Sequence, residues 1–193
     1  MLLERFDRVV AVEPLDGMRA LIPAGAESLA ATAERIPLPD ASVDAVFCGE
    51  AFHWFDWPLA LPEIARVLPP GGTLALLWNR PYAGTTESVA WPPGVLDVLE
   101  RVGESRGTKR FDAFAWRDAL EASPVFAELR LELFRNDGQI SRDALVARIG
   151  SWSNFTFLPP DERARLLDEL RALLPEPSYR TRLETHRYVA RRV

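Results

Sequence analysis

The sequence contains one cysteine, Cys48, and two histidines in 193 residues. A lone cysteine excludes an internal disulfide and suits a reducing compartment. One cysteine and two histidines would leave zinc to carboxylates, which show no ligand-like spacing, so no metal site is expected. No uninterrupted apolar run approaches the ~18–20 residues of a membrane span. The segment Met1-Leu2-Leu3-Glu4-Arg5-Phe6 carries an acid inside its short apolar stretch and does not read as a signal peptide. Excess positive charge is missing too: the net charge is −5, which gives no reason to expect binding to nucleic acid or to an anionic membrane. The arginines near the end, Arg187, Arg191 and Arg192, read as a solvated strand face. There are no internal repeats and no low-complexity linker. These absences point to a cytoplasmic globular protein, read as a single domain over 1–193. Its apolar share of 48% and charged share of 26% are ordinary for that class, and its length can bury a substantial core.

What is present has the rhythm of strands alternating with helices. Met1 to Phe6 reads as the last turn of a helix whose beginning is absent. Val9 to Val12 is a continuous β-branched-rich run, the mark of a strand covered on both faces. Asp16 to Leu21 predicts a short helix ended by Pro23, and Glu27 to Ala33 a weak strand. A proline-containing loop over 37–42 precedes the strand Val43 to Cys48. Pro58 to Leu68 places Leu59, Ile64, Val67 and Leu68 at helical spacing behind an N-terminal proline. Pro69-Pro70-Gly71-Gly72 stops that helix, and Thr73 to Trp78 follows as a strand. Such succession predicts an α/β fold with a mostly parallel sheet. Further on, helices are expected at Val95–Val102, Trp116–Ala122, Arg142–Trp152 and Asp161–Leu174. Strands are expected at Ala127–Phe134 and Thr181–Val189.

Few residues are placed for chemistry. Glu13 ends a buried strand, where ligands bind in open α/β sheets, and a carboxylate there accepts hydrogen bonds from both hydroxyls of a ribose. It could equally be a solvated loop acid. Gly49 follows the strand Val43 to Cys48 and permits a close approach between backbone and ligand. His53 has an unperturbed pKa near neutrality and could take a proton from an oxygen or nitrogen. Beside Trp54 and Phe55 it could instead be a packed, hydrogen-bonded histidine. Trp91, Trp116, Trp152, Phe155 and Phe157 form either an acceptor pocket or core.

Taken in order, Arg8-Val9-Val10-Ala11-Val12-Glu13-Pro14, Thr32-Ala33-Glu34-Arg35-Ile36-Pro37-Leu38-Pro39-Asp40, the run Val43 to Cys48, His53-Trp54-Phe55 and Arg66-Val67-Leu68-Pro69-Pro70-Gly71-Gly72 resemble the class I S-adenosylmethionine-dependent methyltransferases. The likeness is to the small-molecule, methyltransferase type 11-like branch with "AExLP" and "RVLxPGG" signatures. It implies a Rossmann-like sheet, S-adenosylmethionine as cofactor and a small-molecule methyl acceptor. It assigns Glu13 to the ribose and Thr32, Ala33 and Glu34 to the adenine. It puts Gly49 by the methionine portion and His53 near the acceptor. Glu34 could instead hold its loop or pair with Arg35.

In that family a strand, a Gly-x-Gly-x-Gly turn and a helix precede the strand ending at Glu13. This sequence contains no such triplet. The resemblance therefore implies a chain truncated at its N-terminus, lacking the Gly-rich cofactor motif and the first, central strand of the sheet. Weak cofactor binding by this chain is expected, with unpaired strand edges that favour strand addition or homodimerisation. The helices of 141–174 interrupt the last two strands and are expected to form a lid. Two other readings stay open. One is a non-catalytic remnant acting through a partner chain. The other is a nicotinamide-dependent oxidoreductase, against which Ala33-Glu34 and the Pro-Pro-Gly-Gly turn argue.

Overall fold

The structure is a computed structural model and describes residues 2–81, 89–104 and 115–193. Near its start, after a 3-10 turn at Leu2–Glu4, strand β1 (Val10–Val12) leads into the one-turn helix α1 (Asp16–Arg19) and then strand β2 (Glu27–Leu29). These two strands pair in parallel, Val10 with Glu27 and Val12 with Leu29. Strand β3 (Ala45–Gly49), helix α2 (Trp57–Val67) and strand β4 (Thr73–Pro81) form the next βαβ unit. Here Ala45 pairs in parallel with Thr73, and Gly49 with Leu77. Helices α3 (Val95–Glu104) and α4 (Ala115–Glu121) precede the long strand β5 (Phe126–Ser141). Three helices then follow, α5 (Arg142–Gly150), α6 (Ser153–Thr156) and α7 (Pro160–Leu173), before strand β6 (Ser178–Arg192).

The larger sheet has the order β3-β4-β6-β5, while β1 and β2 form a sheet of their own. Strand β6 runs antiparallel to β4: Arg192 exchanges backbone hydrogen bonds with Gly71 and Gly72, whereas Thr185 bonds Asn79 farther along. The α/β expectation holds, with the parallel ladders in the first half of the chain. Among the described residues no strand joins β1 to β3, and the expected central ladder ends at both edges. This changes the environment of β1. Its β-branched run predicts cover on both faces, yet all three residues are only half-buried, because one neighbour cannot close a two-stranded sheet. Phe47 on β3 is 39% exposed and meets the ring of Phe6 edge-on at 5.7 Å.

Two compact units are present. The first gathers Met1–Leu77, Asp112–Glu132 and Arg187–Val193. Its core holds Ala60, Leu61, Ile64, Ala65 and Val67 of α2, with Leu74, Ala75 and Leu76 of β4. The second gathers Trp78–Phe111 and Leu133–His186. Its core is helical: Val95, Val98 and Val102 of α3, Leu145, Val146 and Ile149 of α5, Phe155 of α6 and Leu170 of α7 are all buried. The expected helical segment 141–174 is thus present as α5, α6 and α7.

Helix α2 ends where its sequence says it must. Gly71 has φ +78°, and a Cβ on Gly72 would lie 2.8 Å from the Pro69 carbonyl oxygen and 3.0 Å from the Leu68 Cβ, so only glycine fits without movement. The three late arginines stay exposed or half-exposed, as a solvated strand face implies, and each also has a protein partner. Arg192 donates to the Leu68 carbonyl, and Arg191 to Gly71 O and to the Thr73 hydroxyl at 3.2 and 2.5 Å. Arg187 pairs with Glu132 of β5. No described helix is long and apolar enough to cross a membrane.

Candidate functional site

The carboxyl ends of β1 and β2 lie on one side because the strands are parallel, and Glu13 sits one residue beyond β1. Its backbone N–H donates to Leu29 O at 3.1 Å. Its Oε1 accepts the Leu15 N–H at 2.9 Å, and its carbonyl accepts from the Arg19 guanidinium at 3.0 Å. Arg19 is itself paired with Asp16. The half-buried carboxylate is therefore oriented through one oxygen, and Oε2 has no hydrogen-bond partner among the described residues.

Past β2 the chain turns at an isolated bridge between Thr32 and Arg35. The Glu34 carboxylate accepts the Asp56 N–H at 3.0 Å. Burial on its own would raise the Glu34 pKa. Hydrogen bonds from the Asp56 amide, the Thr32 hydroxyl and the backbone of Glu34 outweigh it and hold the carboxyl below its ordinary range. The Glu34 carboxylate thus fastens its loop to Asp56. Thr32 is exposed and Ala33 half-buried.

The following loop is clamped to α2 by residues that the sequence reading passed over. Buried Ile36 donates its N–H to Glu63 Oε1 at 2.7 Å. The Arg66 guanidinium reaches the carbonyls of Ile36 and Leu38, both at 2.8 Å, and the carboxylates of Glu63 and Asp40 at 2.8 and 2.7 Å. The Arg66 hydrogen bond is the main reason that Glu63 stays well below the usual carboxylate range, and the same bonds raise Arg66. Glu63 and Arg66 stand three apart on one helix face, the spacing that lets side chains meet.

Beyond β3, Gly49 adjoins open space, since a Cβ there would meet nothing within 4 Å. Glu50 turns the chain with φ +51° and donates its N–H to Leu77 O. A 3-10 turn, Phe52–Trp54, presents half-buried His53, whose ring lies 5.0 Å from that of Trp54. Fully buried Phe52 anchors the turn: its ring meets Phe55 and Trp116, and its carbonyl accepts from the Trp57 indole at 2.9 Å. Cys48, one residue before Gly49, is buried, and its thiol is pushed up to about 12.

The Glu34–Asp56 hydrogen bond brings the segment after β2 to the segment after β3. Glu13 shares the same end of the smaller sheet, although its own hydrogen bonds go to Leu15, Leu29 and Arg19. This gathering of strand ends is the place where open α/β sheets bind ligands.

A methyltransferase-domain family profile matches residues 1–76. An uncharacterised methyltransferase of Mycobacterium tuberculosis is 35% identical over 177 residues, covering 90% of this chain and 67% of that protein. The chain belongs to the class I S-adenosylmethionine-dependent methyltransferases. An uncharacterised methyltransferase of Schizosaccharomyces pombe is 35% identical over 167 residues, 85% of this chain and 63% of that protein. The chain thus spans about two thirds of the length of these relatives. A structure provisionally described as a type II methyltransferase from Anaeromyxobacter dehalogenans superposes with TM-score 0.61 at 25% identity, over 98% of this chain and 82% of that one. Family membership and the shared fold agree with the Rossmann-like expectation.

Within this methyltransferase fold the aromatic group divides. Phe155 is buried in the core of the second unit, with Trp91 packed against it. Trp116 is buried in the first unit between Phe52 and Tyr188. Trp152 and Phe157 are exposed. Most of the five fill cores, as large apolar side chains usually do.

Proposed function

We propose that this chain binds S-adenosylmethionine at the carboxyl ends of β1, β2 and β3 and serves methyl transfer to a small molecule. The observation that carries the reading is the Glu34–Asp56 hydrogen bond, which draws the two post-strand segments together. The residues fit a nucleoside. Among the described residues Glu13 keeps Oε2 without a hydrogen bond while Leu15 holds Oε1, so the carboxylate is set to accept from ribose hydroxyls. Gly49 borders open space, as a close ligand approach requires. With the Glu34 carboxylate committed to Asp56 and Thr32, the loop offers an adenine its backbone and the face of Ala33. The chain has no Gly-x-Gly-x-Gly turn to seat the methionine end.

When bound, S-adenosylmethionine supplies an electrophilic methyl group on a sulfonium sulfur. The chain's part is orientation: Glu13 fixes the nucleoside, the Glu34-anchored loop flanks its base, and the 3-10 turn carries His53 toward the acceptor side. Transfer to an acceptor held in line needs no base, and His53 serves where the acceptor must lose a proton.

The test is titration of the 193-residue chain with S-adenosylhomocysteine to millimolar concentration, followed by amide NMR. Without the glycine turn the loss of two or three hydrogen bonds to a charged ligand costs about 3–8 kcal/mol, which is roughly a hundredfold to a millionfold in affinity. Shifts at Ala33 and Gly49, weakened about tenfold or more by Glu13→Ala, are the expected result. An unresponsive spectrum at Ala33 and Gly49 overturns the proposal, and an unchanged Kd in Glu13→Ala removes Glu13 from the site.

A further inference from the structure

Strand β5 is the outer strand of the four-stranded sheet, and among the described residues nothing pairs with its free side. An outer strand of 16 residues is long. Natural edges are usually blunted by proline, lysine or brevity, and Phe126–Ser141 contains neither proline nor lysine. It also shows apolar surface, with Leu131 and Leu133 at 45% and 52% exposed. This edge is distinct from those of β1 and β3.

The sequence of the exposed segment selects its occupant. Read antiparallel about Leu131, the stretch Leu129-Arg130-Leu131-Glu132-Leu133 is complementary to itself. Leu131 then faces Leu131 of the partner subunit, Leu129 faces the partner's Leu133, and Arg130 faces the partner's Glu132. Every apolar residue meets an apolar one, and both charged pairs are of opposite sign. Moving the two-fold centre to residue 130 sets arginine against arginine, and moving it to residue 132 sets glutamate against glutamate. Half-steps place leucine opposite charge. Directly opposed side chains are the unit of stabilisation in a sheet, and like charges there are unfavourable, so one register stands out.

We propose that a second copy of this chain docks along β5 in that antiparallel register, extending the sheet through a two-fold axis. The present partners of the charged residues permit it. Among the described residues Arg130 pairs only with Glu128, two residues away, through side chains that are 73% and 60% exposed, a contact that exchanges at little cost. Glu132 is held by Arg187 of its own chain through Oε2, and its side chain remains 45% exposed. Glu128, with φ +58°, breaks the extended backbone and bounds the pairing segment on one side.

Sedimentation velocity of the 193-residue chain over a range of concentrations tests this. The wild type should show a concentration-dependent dimer. Arg130→Glu sets glutamate against the partner's Glu132 at both symmetric positions and should raise the dimer Kd about tenfold or more. Leu131→Lys, which opposes two lysines on the axis, should do the same, and both variants should keep the wild-type circular dichroism. The double exchange Arg130→Glu with Glu132→Arg restores opposite signs across the axis and should restore dimerisation. Because Glu132→Arg also faces Arg187, hydrogen exchange gives a second readout. Outward amides of 129–133 should gain protection with concentration in the wild type and not in Arg130→Glu. A wild type that stays monomeric, a dimer that Arg130→Glu leaves intact, or amides indifferent to concentration overturns the proposal.

Discussion

The Glu34 carboxylate accepts the backbone N–H of Asp56 at 3.0 Å, across 22 residues of sequence. One side chain thereby fastens the loop after β2 to the residue that precedes α2, and it does so at the end of the sheet where the proposed ligand binds.

Removing that acceptor should loosen both partners. Glu34→Ala is expected to cost about 1–2 kcal/mol, the range for a hydrogen bond to a charged group in a partly solvated site, measured by urea unfolding at pH 7. The pH dependence has a definite sign. The folded-state pKa of Glu34 lies below its ordinary value of 4.5, so its stabilisation is complete above that value and is lost as the pH falls through the folded pKa. Glu34→Gln should therefore flatten the acid limb of the stability curve while leaving the slope near neutrality unchanged.

Arg66 should be costly to remove. Its guanidinium satisfies two carbonyls and two carboxylates, and the Glu63 side chain it serves is only 17% exposed. Arg66→Ala should destabilise by about 2–4 kcal/mol, since it leaves a largely buried carboxylate without its counter-charge. Arg66→Lys should recover only part of this, because an ammonium cannot span the same fork of acceptors. Thermal unfolding of the two variants side by side measures the difference.

Two glycines should separate architecture from binding. Gly72→Ala forces a Cβ to 2.8 Å from a backbone oxygen and should cost about 2 kcal/mol or more through displaced backbone. Gly49→Ala projects into open space and should stay within about 0.5 kcal/mol of the wild type. The same Gly49→Ala should weaken S-adenosylhomocysteine binding if the ligand passes close to that backbone. Melting temperatures and NMR titration read the two effects independently.

The protection pattern should favour helices over the first strands. A mobile lid predicts that 141–174 exchanges faster than Val43–Cys48. Burial argues for the opposite order: Leu145, Val146 and Ile149 of α5 are almost wholly buried, whereas β3 has a half-exposed face and, among the described residues, one free edge. Amides in the middle of α5 should outlast those of β3 that point away from β4. Slower exchange on the free side of β3 would mean that something covers it.

Cys48 should be silent to thiol reagents in the native protein. Burial both shields the sulfur and disfavours the thiolate. Labelling with a disulfide reagent at pH 8 should proceed at the rate of opening, and urea should accelerate it in step with loss of circular dichroism.

Strand and helix positions were legible where a periodic run met a strong stop, as at Val67 followed by Pro69-Pro70-Gly71-Gly72. Order along the chain also showed that Glu13, Glu34 and Gly49 each lie at or past the carboxyl end of a strand. The clamping roles of Arg66 and Asp56 escaped notice because these contacts reach residues 22 to 30 positions away, and no local pattern encodes such a meeting. The late arginines keep the solvent exposure expected of them, but their partners, the carbonyls of a distant turn and Glu132, had no local signal for the same reason. The burial of β1 was overestimated because a β-branched run records what a strand is suited to, whereas exposure depends on its neighbours. The division of the aromatic group between two cores had no sequence signal at all.

Arg191 and Arg192 close on a turn formed 118 to 124 residues earlier, and this has a consequence for biosynthesis. The first compact unit is assembled from three separated stretches, with the whole of the second unit threaded between them. On the ribosome, α2 and β4 emerge long before β6, so the carbonyls of the Pro-Pro-Gly-Gly turn wait without their donors while the intervening helices are made. The inserted unit can mature as the nascent chain lengthens, but the outer one is completed only when residues 187–193 clear the exit tunnel. Contacts of such long sequence separation are slow to form, and during that interval the half-covered strands β1 and β3 are the surfaces a chaperone would meet.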